Sequence, residues 1–348
     1  MNAPPAALLA AVQHNCDIAD ALHAGDYTLC TYLLKMREFF RWERRLPFTA
    51  SLPKDEVGAW VQAREQRWAG LEDEGFSCLP LGEGCLDPFD STAVNARLEP
   101  LGWVYSAGYG HGARPTFFLG ELLAREDYAG YQVHIAGAEE ARDLAAPPAM
   151  SHRGAIYVRR ESLRRMLHEM IEAWRWRGQP QDSLARALAA AGWPATGEAA
   201  LEHLTDGQVE AAVWHEVGEV MAGDQLPGWQ DMMLAVAGQR QERVARAVRD
   251  HLADCLTTLP VLLQGAPETN LHLYFANFNG LRRELFPQLH AAYQRWVTNG
   301  GGLAALKALV APGREHWTGV AQRLLREQPD DWPVRDEQIA QLRPCLNA

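Results

Sequence analysis

Apolar residues recur every three or four positions through most of the C-terminal half of the chain. This spacing is typical of amphipathic α-helices, because it places the apolar side chains on one face. It predicts helices over residues 161–176, 182–191, 198–204, 206–222, 228–265 with an interruption near Gly238, 269–279, 281–298 and 313–326. Short connections between such segments favour antiparallel neighbours, so this half is expected to form a helical bundle.

The period changes in the middle of the chain, between residues 101 and 160. Short runs rich in Val, Ile, Tyr and Phe are bounded there by Gly or Pro, as in β-strands. They are GWVYSAGYG, PTFFLGEL, YQVHIAG and GAIYVRR, and they predict a small, mostly antiparallel sheet. Upstream, residues 5–23 and 27–45 predict a helical hairpin, and residues 53–71 predict a further helix. The expected fold class is therefore predominantly α, a multi-helix bundle with a small β-sheet in the middle of the chain (α+β).

Chain length and charge restrict the number of domains and the kind of partner. A chain of 348 residues exceeds what one hydrophobic core usually organises, so two domains are expected. Residues 1–160 would hold the helical hairpin and the sheet, and residues 161–348 would hold the bundle. The net charge of −11 argues against a nucleic-acid partner held through its phosphates, although residues 41–45 (RWERR) form a local basic patch.

No part of the sequence predicts export or membrane insertion. No run of 18 apolar residues occurs, and the N-terminal segment lacks basic residues before its short apolar stretch. We therefore expect a cytoplasmic protein with no membrane partner. The six cysteines form no CxxC pair and are expected to be reduced thiols. Cys78 and Cys85 nevertheless bracket a short loop, across which they could meet.

The stretch from residue 205 to residue 223 combines helix-capping signals with ligand-type side chains. Thr205 begins a capping-box pattern, and Gly223 is placed as a C-terminal stop. Between them, His215 and Glu219 lie four residues apart and therefore project together from one flank of the helix. An imidazole and a carboxylate at this spacing can hold zinc, iron or manganese. The alternative is a solvated flank on which the two side chains share a hydrogen bond.

Further metal-ligand candidates lie at the margins of buried helix faces. Glu216 borders the apolar stripe of the same helix, and His251 with Asp254 borders the stripe of a helix further along the chain. Helix bundles build metal sites from such side chains on facing helices. Glu216, His251 and Asp254 could therefore share one site with His215 or Glu219. Alternatively, each histidine is a hydrogen-bonded residue at the edge of the bundle.

Glu43 is a separate candidate, because it falls within the apolar face of the second predicted helix. Burying a carboxylate costs several kcal/mol unless the group is paired or bound to a cation. Glu43 is therefore expected to be a metal ligand or a member of an ion pair. The alternative places it beyond the core, beside Arg41, Arg44 or Arg45.

The leading functional hypothesis is a metal-binding helical protein, specifically an iron- or manganese-dependent oxidoreductase, with zinc as the third ion considered. Two alternatives stay open: a non-catalytic protein-binding or assembly module, and a metal-independent hydrolase that uses His251 and Asp254. No nucleotide cofactor is expected, because the glycine-rich segment GYGHGARP does not match GxGxxG and no helix follows it. The partner would be a small molecule or a protein, and the sequence does not define the oligomeric state.

Four segments carry a family resemblance: HNCDIADALHAGDYTLCTYLLKMREFFRWE, RPTFFLGEL, GAIYVRRESL and NLHLYFANFNGLRRELF. Together they resemble a bacterial family of conserved, uncharacterised proteins, and the resemblance covers most of the chain. It implies an intact, single-chain cytoplasmic protein. It implies neither catalytic residues nor a substrate.

Overall fold

The computed structural model of the protein describes residues 3–82, 84–178, 180–194, 197–300 and 302–346. The chain is 62% helical and 14% strand, which confirms the predicted fold class, predominantly helical α+β. The chain divides into two compact units. The first consists of Met1–Gly110, Arg114–Glu126 and Val133–His168, and the second of His111–Ala113, Asp127–Gln132 and Glu169–Ala348. None of the described helices combines the length and the hydrophobicity of a transmembrane span.

The first unit contains the helices α1 (Ala6–His23), α2 (Leu29–Glu43), α3 (Lys54–Trp68) and α4 (Ser91–Leu98). Buried residues of α1 and α4 pack against strands of the sheet. Leu8 and Val12, one turn apart on α1, are fully buried in the same cluster as Tyr105, Phe117 and Leu119 of the sheet. This contact is the reason for the three-and-four spacing of apolar residues in α1.

The strands of the described residues form a hairpin and a five-stranded sheet. The hairpin pairs β1 (Leu79–Leu81) with β2 (Gly84–Leu86), and the larger sheet contains β3 (Trp103–Tyr109), β4 (Pro115–Tyr128), β5 (Tyr131–Arg142), β6 (Ala149–His152) and β7 (Ala155–Arg159). The strand order in that sheet is β3-β4-β5-β7-β6. The β3–β4 and β6–β7 pairs are antiparallel, as the sequence predicted.

A disulfide joins Cys78 and Cys85 across the β1–β2 hairpin, with 5.6 Å between their Cα atoms. The expectation that every cysteine is a reduced thiol is therefore wrong for this pair. In β1, Leu79 and Leu81 are buried and Pro80 between them is partly exposed, an alternation typical of a strand. The antiparallel pairing of β1 with β2 then brings the two cysteines together. The other cysteines, Cys16, Cys30, Cys255 and Cys345, are free.

The second unit is helical. After α5 (Arg160–Trp176), the helices are α6 (Ser183–Ala190), α7 (Gly197–Gln225), α8 (Trp229–Ala235), α9 (Arg240–Ala253), α10 (Leu259–Leu263), α11 (Glu268–Asn277), α12 (Gly280–Leu285), α13 (Pro287–Asn299), α14 (Ala304–Arg326) and α15 (Asp336–Ile339). A π-helical turn, Asp254–Thr258, connects α9 to α10. The core contains Val248, Leu252, Phe275, Tyr293 and Trp317, none of which is more than 3% exposed.

Helix α7 is longer than its capping signals predicted. Thr205 and Gly223 both lie inside it, so the predicted start and stop are wrong. The Thr205 hydroxyl donates a hydrogen bond to the carbonyl of Leu201 at 2.7 Å, which satisfies this polar group within a helix. Thr205 therefore has no need to cap the helix, and the helix extends upstream to Gly197.

Candidate metal centre

The site begins with an unusually close approach of α7 to the end of α9. A Cβ atom placed on Gly218 would lie 2.4 Å from Thr257 Oγ1 and 2.5 Å from the carbonyl oxygen of Ala253. Thr257 Oγ1 lies in turn 3.1 Å from that same carbonyl oxygen and also hydrogen-bonds the carbonyl of Trp214 on α7. Only glycine leaves room for this contact, which brings polar side chains of the two helices together.

His215 lies between two carboxylates of this cluster. Its Nδ1 atom is 2.9 Å from Asp254 Oδ1, and its Nε2 atom is 3.6 Å from Glu219 Oε1. Burial opposes a charge on His215, but the hydrogen bonds to Asp254 and Glu219 outweigh it and raise the pKa of the imidazole well above its ordinary value. The sequence predicted the His215–Glu219 proximity from their spacing, and the structure adds Asp254.

Asp254 is the most deeply buried acid of the cluster, with 1% of its surface exposed. It begins the π-helical turn, a backbone feature that often occurs at functional sites. The carboxylate also accepts hydrogen bonds from the Tyr274 hydroxyl at 2.7 Å and from the Arg282 guanidinium. Burial alone would raise the pKa of Asp254, but the charge of Arg282 and the hydrogen bond from His215 lower it. Asp254 is therefore ionised.

Three side chains could hold a metal ion. The ligand atoms of His215, Glu219 and Asp250 all lie within 4.8 Å of one another, and each residue is partly exposed. Burial, with the charge of Glu219 adding to it, raises the pKa of Asp250 to about 6 despite the opposing charge of Arg282. The pKa of Glu219 is lowered, because the charge of Arg249 and the hydrogen bond with His215 outweigh its burial. The Arg249 guanidinium lies 2.6 Å from Glu219 Oε2.

Glu216 interacts electrostatically with His215 and Glu219, although it is not one of the three mutually close candidate ligands. It is 8% exposed, and burial together with the charge of Glu219 raises its pKa to about 8. The neighbouring charges of His215 and Arg249 oppose this shift without cancelling it. Glu216 is therefore a carboxyl group that stays largely protonated near neutral pH.

The charges of the cluster balance while His215 is protonated. Glu216 is largely protonated, so the carboxylates are Glu219, Asp250 and Asp254, and they face the guanidinium groups of Arg249 and Arg282 and the imidazole of His215. Loss of the proton from His215 leaves one surplus negative charge, which would favour a cation at the cluster.

His251 lies away from the other predicted ligands, in an aromatic environment. Its ring stacks on Trp317 with centroids 4.5 Å apart and contacts the edges of Phe278 and Phe286. Burial and the charge of Arg282 lower its pKa to about 3, so the ring is neutral. Its Nε2 atom has no hydrogen-bond partner among the described residues. His251 therefore packs in the core and does not join His215, Glu219 and Asp250.

Glu43 belongs to the first unit, where it is a member of an ion pair, one of its two expected roles. Its carboxylate accepts a hydrogen bond from Arg64 at 2.5 Å and another from the Trp60 indole. Arg64 also pairs with the buried Asp17 at 3.0 Å. Glu43 thus neutralises a guanidinium between two helices of the first unit.

Sequence reasoning missed several residues of the centre. Asp250 stands four positions before Asp254, and this spacing on one helix was a signal that could have identified it. Tyr274 and Arg282 carried no such signal, because they come from α11 and α12 and reach Asp254 only through the packing of the bundle.

Together, the fold and the site define a predominantly helical α+β protein with a half-buried cluster of acids around one imidazole. The chain belongs to a family of unknown function, the Family of unknown function (DUF6866), whose N-terminal domain matches residues 7–159 and whose C-terminal domain matches residues 164–344. This confirms the resemblance to an uncharacterised family over most of the chain; its bacterial origin stays a prediction. No curated protein and no solved structure matches the chain.

Proposed function

We propose that the protein binds a divalent transition-metal ion through His215, Glu219 and Asp250. The observation that carries this proposal is the mutual proximity of the three ligand atoms, all within 4.8 Å. One imidazole nitrogen and two carboxylate oxygens are donors that suit manganese, iron and zinc. The half-buried position supports the proposal further, since an ion can enter from solvent while protein atoms hold it.

Asp254 would orient the histidine ligand. A metal-binding histidine commonly donates its second N–H group to a carboxylate, which fixes the ring and its tautomer. Asp254 Oδ1 lies 2.9 Å from Nδ1 of His215, and this contact leaves Nε2 facing Glu219. Tyr274 and Arg282 hold Asp254 in turn, so the arrangement of the donors does not depend on the ion.

Redox chemistry is the more specific form of the proposal. Three protein ligands leave positions open on a six-coordinate ion, and iron or manganese there could bind dioxygen or water. The hydrolase alternative receives less support, because His251 stacks on Trp317 while Asp254 is bonded to His215. We therefore place an iron- or manganese-dependent oxidoreductase ahead of a metal-independent hydrolase.

Calorimetric titration of chelator-treated protein with Mn²⁺ at pH 7.5 tests the proposal. Wild type should bind one ion, and Asp250→Asn should weaken binding by about 100-fold, because it removes a charged ligand. Glu210→Gln is the matched control, since Glu210 is an exposed acid on the same helix, α7, and its loss should leave the affinity unchanged. Equal affinities for wild type and Asp250→Asn would refute the site.

The same titration repeated at several pH values tests the ligand assignment. His215 and Asp250 both have raised pKa values, so both must release protons before they bind an ion. The affinity for Mn²⁺ should therefore rise between pH 5.5 and pH 8, by roughly tenfold for each proton released per pH unit. Binding that does not change over this range would mean that neither side chain is a ligand.

A further inference from the structure

The disulfide of the first unit lies on the outward face of the β1–β2 hairpin. Leu79 and Leu81 point inward and are buried, so the alternation of a strand turns Cys78 to the opposite face. Cys85 pairs with Pro80 across the hairpin and therefore shares that outward face. Both cysteines are exposed. A thiolate in solution therefore has access to the disulfide.

Noncovalent contacts on the inward face hold the hairpin in place. Leu79 and Leu81 belong to the same buried cluster as Leu8 and Val12 of α1. From α4, the guanidinium of Arg97 donates a hydrogen bond to the carbonyl of Leu81. These contacts do not involve the outward face, so they persist when the disulfide is broken.

Buried side chains also fix the backbone on both sides of the hairpin. The Asn15 side chain donates to the carbonyl of Ser77 at 2.8 Å and accepts from the Ser77 N–H at 2.7 Å. After β2, the Tyr105 hydroxyl donates to the carbonyl of Pro88 at 2.7 Å. Cross-links that close short loops stabilise a fold less than those that close long ones, and these cysteines are only seven positions apart. The hairpin therefore does not depend on the disulfide.

The free cysteines of the chain differ in their access to solvent. Cys16 and Cys255 are buried, and burial raises the pKa of both thiols, which opposes formation of the reactive thiolate. Cys30 and Cys345 are exposed and form no disulfide. The hairpin pair is thus the place in the described part of the chain where two electrons can be accepted at an S–S bond.

We propose that Cys78 and Cys85 form a redox-active pair, which a dithiol reduces reversibly while the hairpin stays folded. A thiolate of the dithiol attacks one of the two sulfur atoms, the S–S bond breaks, and the other cysteine leaves as a thiolate. The second thiolate of the dithiol then attacks the mixed disulfide. The dithiol is thereby oxidised to a disulfide, and the two cysteines take up the two protons that it loses.

The rate at which dithiothreitol, a small dithiol, reduces the bond tests this proposal. Alkylation of the released thiols and mass spectrometry measure it in native buffer and in concentrated urea, on chelator-treated protein. Because both cysteines are exposed in the folded protein, the two rate constants should differ by less than about 100-fold. A bond that reacts only after unfolding would be reduced more slowly than this in native buffer, which would overturn the proposal.

Reversibility is measured in a Cys30→Ser, Cys345→Ser double variant, which lacks the exposed free thiols. Its disulfide should be reduced at the wild-type rate. After dithiothreitol is removed, oxidised glutathione should restore the bond between Cys78 and Cys85. Folded, reduced protein that does not form this bond again would overturn the proposal.

A second variant separates a redox-active pair from a structural cross-link. The Cys78→Ser, Cys85→Ser protein cannot form the bond and should keep the near-ultraviolet circular dichroism and the cooperative urea unfolding of the wild type. This result is expected because Asn15, Arg97 and Tyr105 still hold the hairpin. Loss of the native spectrum would make the disulfide a requirement for folding and would overturn the proposal.

Discussion

Asp254 is the residue on which the orientation of His215 depends. The Asp254→Asn substitution keeps the shape of the side chain but leaves the charges of Arg282 and His215 without their buried partner. The free energy of unfolding should therefore fall by about 3–5 kcal/mol, as when one member of a buried ion pair is removed. The affinity for Mn²⁺ should fall about 10- to 100-fold, because the proposed histidine ligand would lose its orientation. Urea unfolding and calorimetric titration measure the two effects.

Asp231→Asn is the control for that experiment, because Asp231 is an exposed acid on α8 of the same unit. It should change neither quantity. If Asp254→Asn retained full affinity for Mn²⁺, Asp254 would have no part in positioning the metal ligand, whatever its effect on stability.

Glu216 should make the metal-free protein less stable as the pH rises. Its pKa is raised to about 8, so the folded state keeps a proton that the unfolded chain releases above about pH 4.3. Stability falls with pH wherever the folded state binds more protons than the unfolded state. Glu216→Gln removes this decline and should increase the free energy of unfolding at pH 8 by about 1–3 kcal/mol.

The measurement is urea unfolding at pH 5, 6, 7 and 8 in the presence of a chelator. His215 contributes a decline of the same sign as the pH rises toward its raised pKa, so the Glu216→Gln profile should be shallower but not flat. Glu210→Gln should follow the wild-type profile. An unchanged pH profile in Glu216→Gln would show that Glu216 is ionised at pH 8 in the folded protein.

The candidate site was only partly predictable at the scale of single residues. Helical spacing alone predicts that His215 and Glu219 face the same way, because both lie on one helix. It could not show whether His251 or Asp250 faces them, since this depends on how α9 turns against α7. The two positions are consecutive, and neighbouring residues of an α-helix point about 100° apart. His251 therefore lies in the aromatic core while Asp250 lies in the cluster.

At the scale of helices, Gly218 controls the distance between α7 and α9. The Gly218→Ala variant would place a methyl group 2.4 Å from Thr257 Oγ1, which forces the helices apart. We expect the free energy of unfolding to fall by about 1–3 kcal/mol, the usual cost of overpacking. The affinity for Mn²⁺ should fall as well, because the proposed ligands come from both helices.

The matched control is Gly223→Ala on the same helix. No atom lies within 4 Å of a Cβ placed there, so alanine should stabilise α7 by about 0.5–1 kcal/mol through its better helix propensity. Urea unfolding of the two variants should therefore give shifts of opposite sign. If both variants were stabilised, the helices would have to tolerate a side chain at Gly218, and close packing would not create the site.

The ends of the helices were less predictable than their existence. The apolar periodicity of α7 reflects contacts along its whole length. A threonine or a glycine, by contrast, can stand inside a helix as well as at its end. Thr205 bonds the carbonyl of Leu201 within the helix, and Gly223 is accommodated inside α7. The capping signals therefore divided this segment into two predicted helices, 198–204 and 206–222, whereas it forms the single helix α7.

At the scale of the whole molecule, the arrangement of the charges matters more than their total. A net charge of −11 predicts an acidic surface, yet the chain also builds a cluster in which carboxyl groups meet two arginines and a histidine. The cluster depends on residues far apart in the sequence, so composition could not reveal it. The change from helical to alternating periodicity, by contrast, is local, and it was sufficient to predict the α+β class.

Elemental analysis of the untagged protein, purified without chelators, is the most direct test of the metal-binding proposal. We predict close to one equivalent of manganese, iron or zinc, retained by Glu210→Gln and lost by Asp250→Asn. Stripped wild-type protein should take up one equivalent of added Mn²⁺ or Fe²⁺. Folded wild-type protein that is isolated without metal and takes up neither ion would contradict the proposal and leave the cluster as a buried ion-pair network.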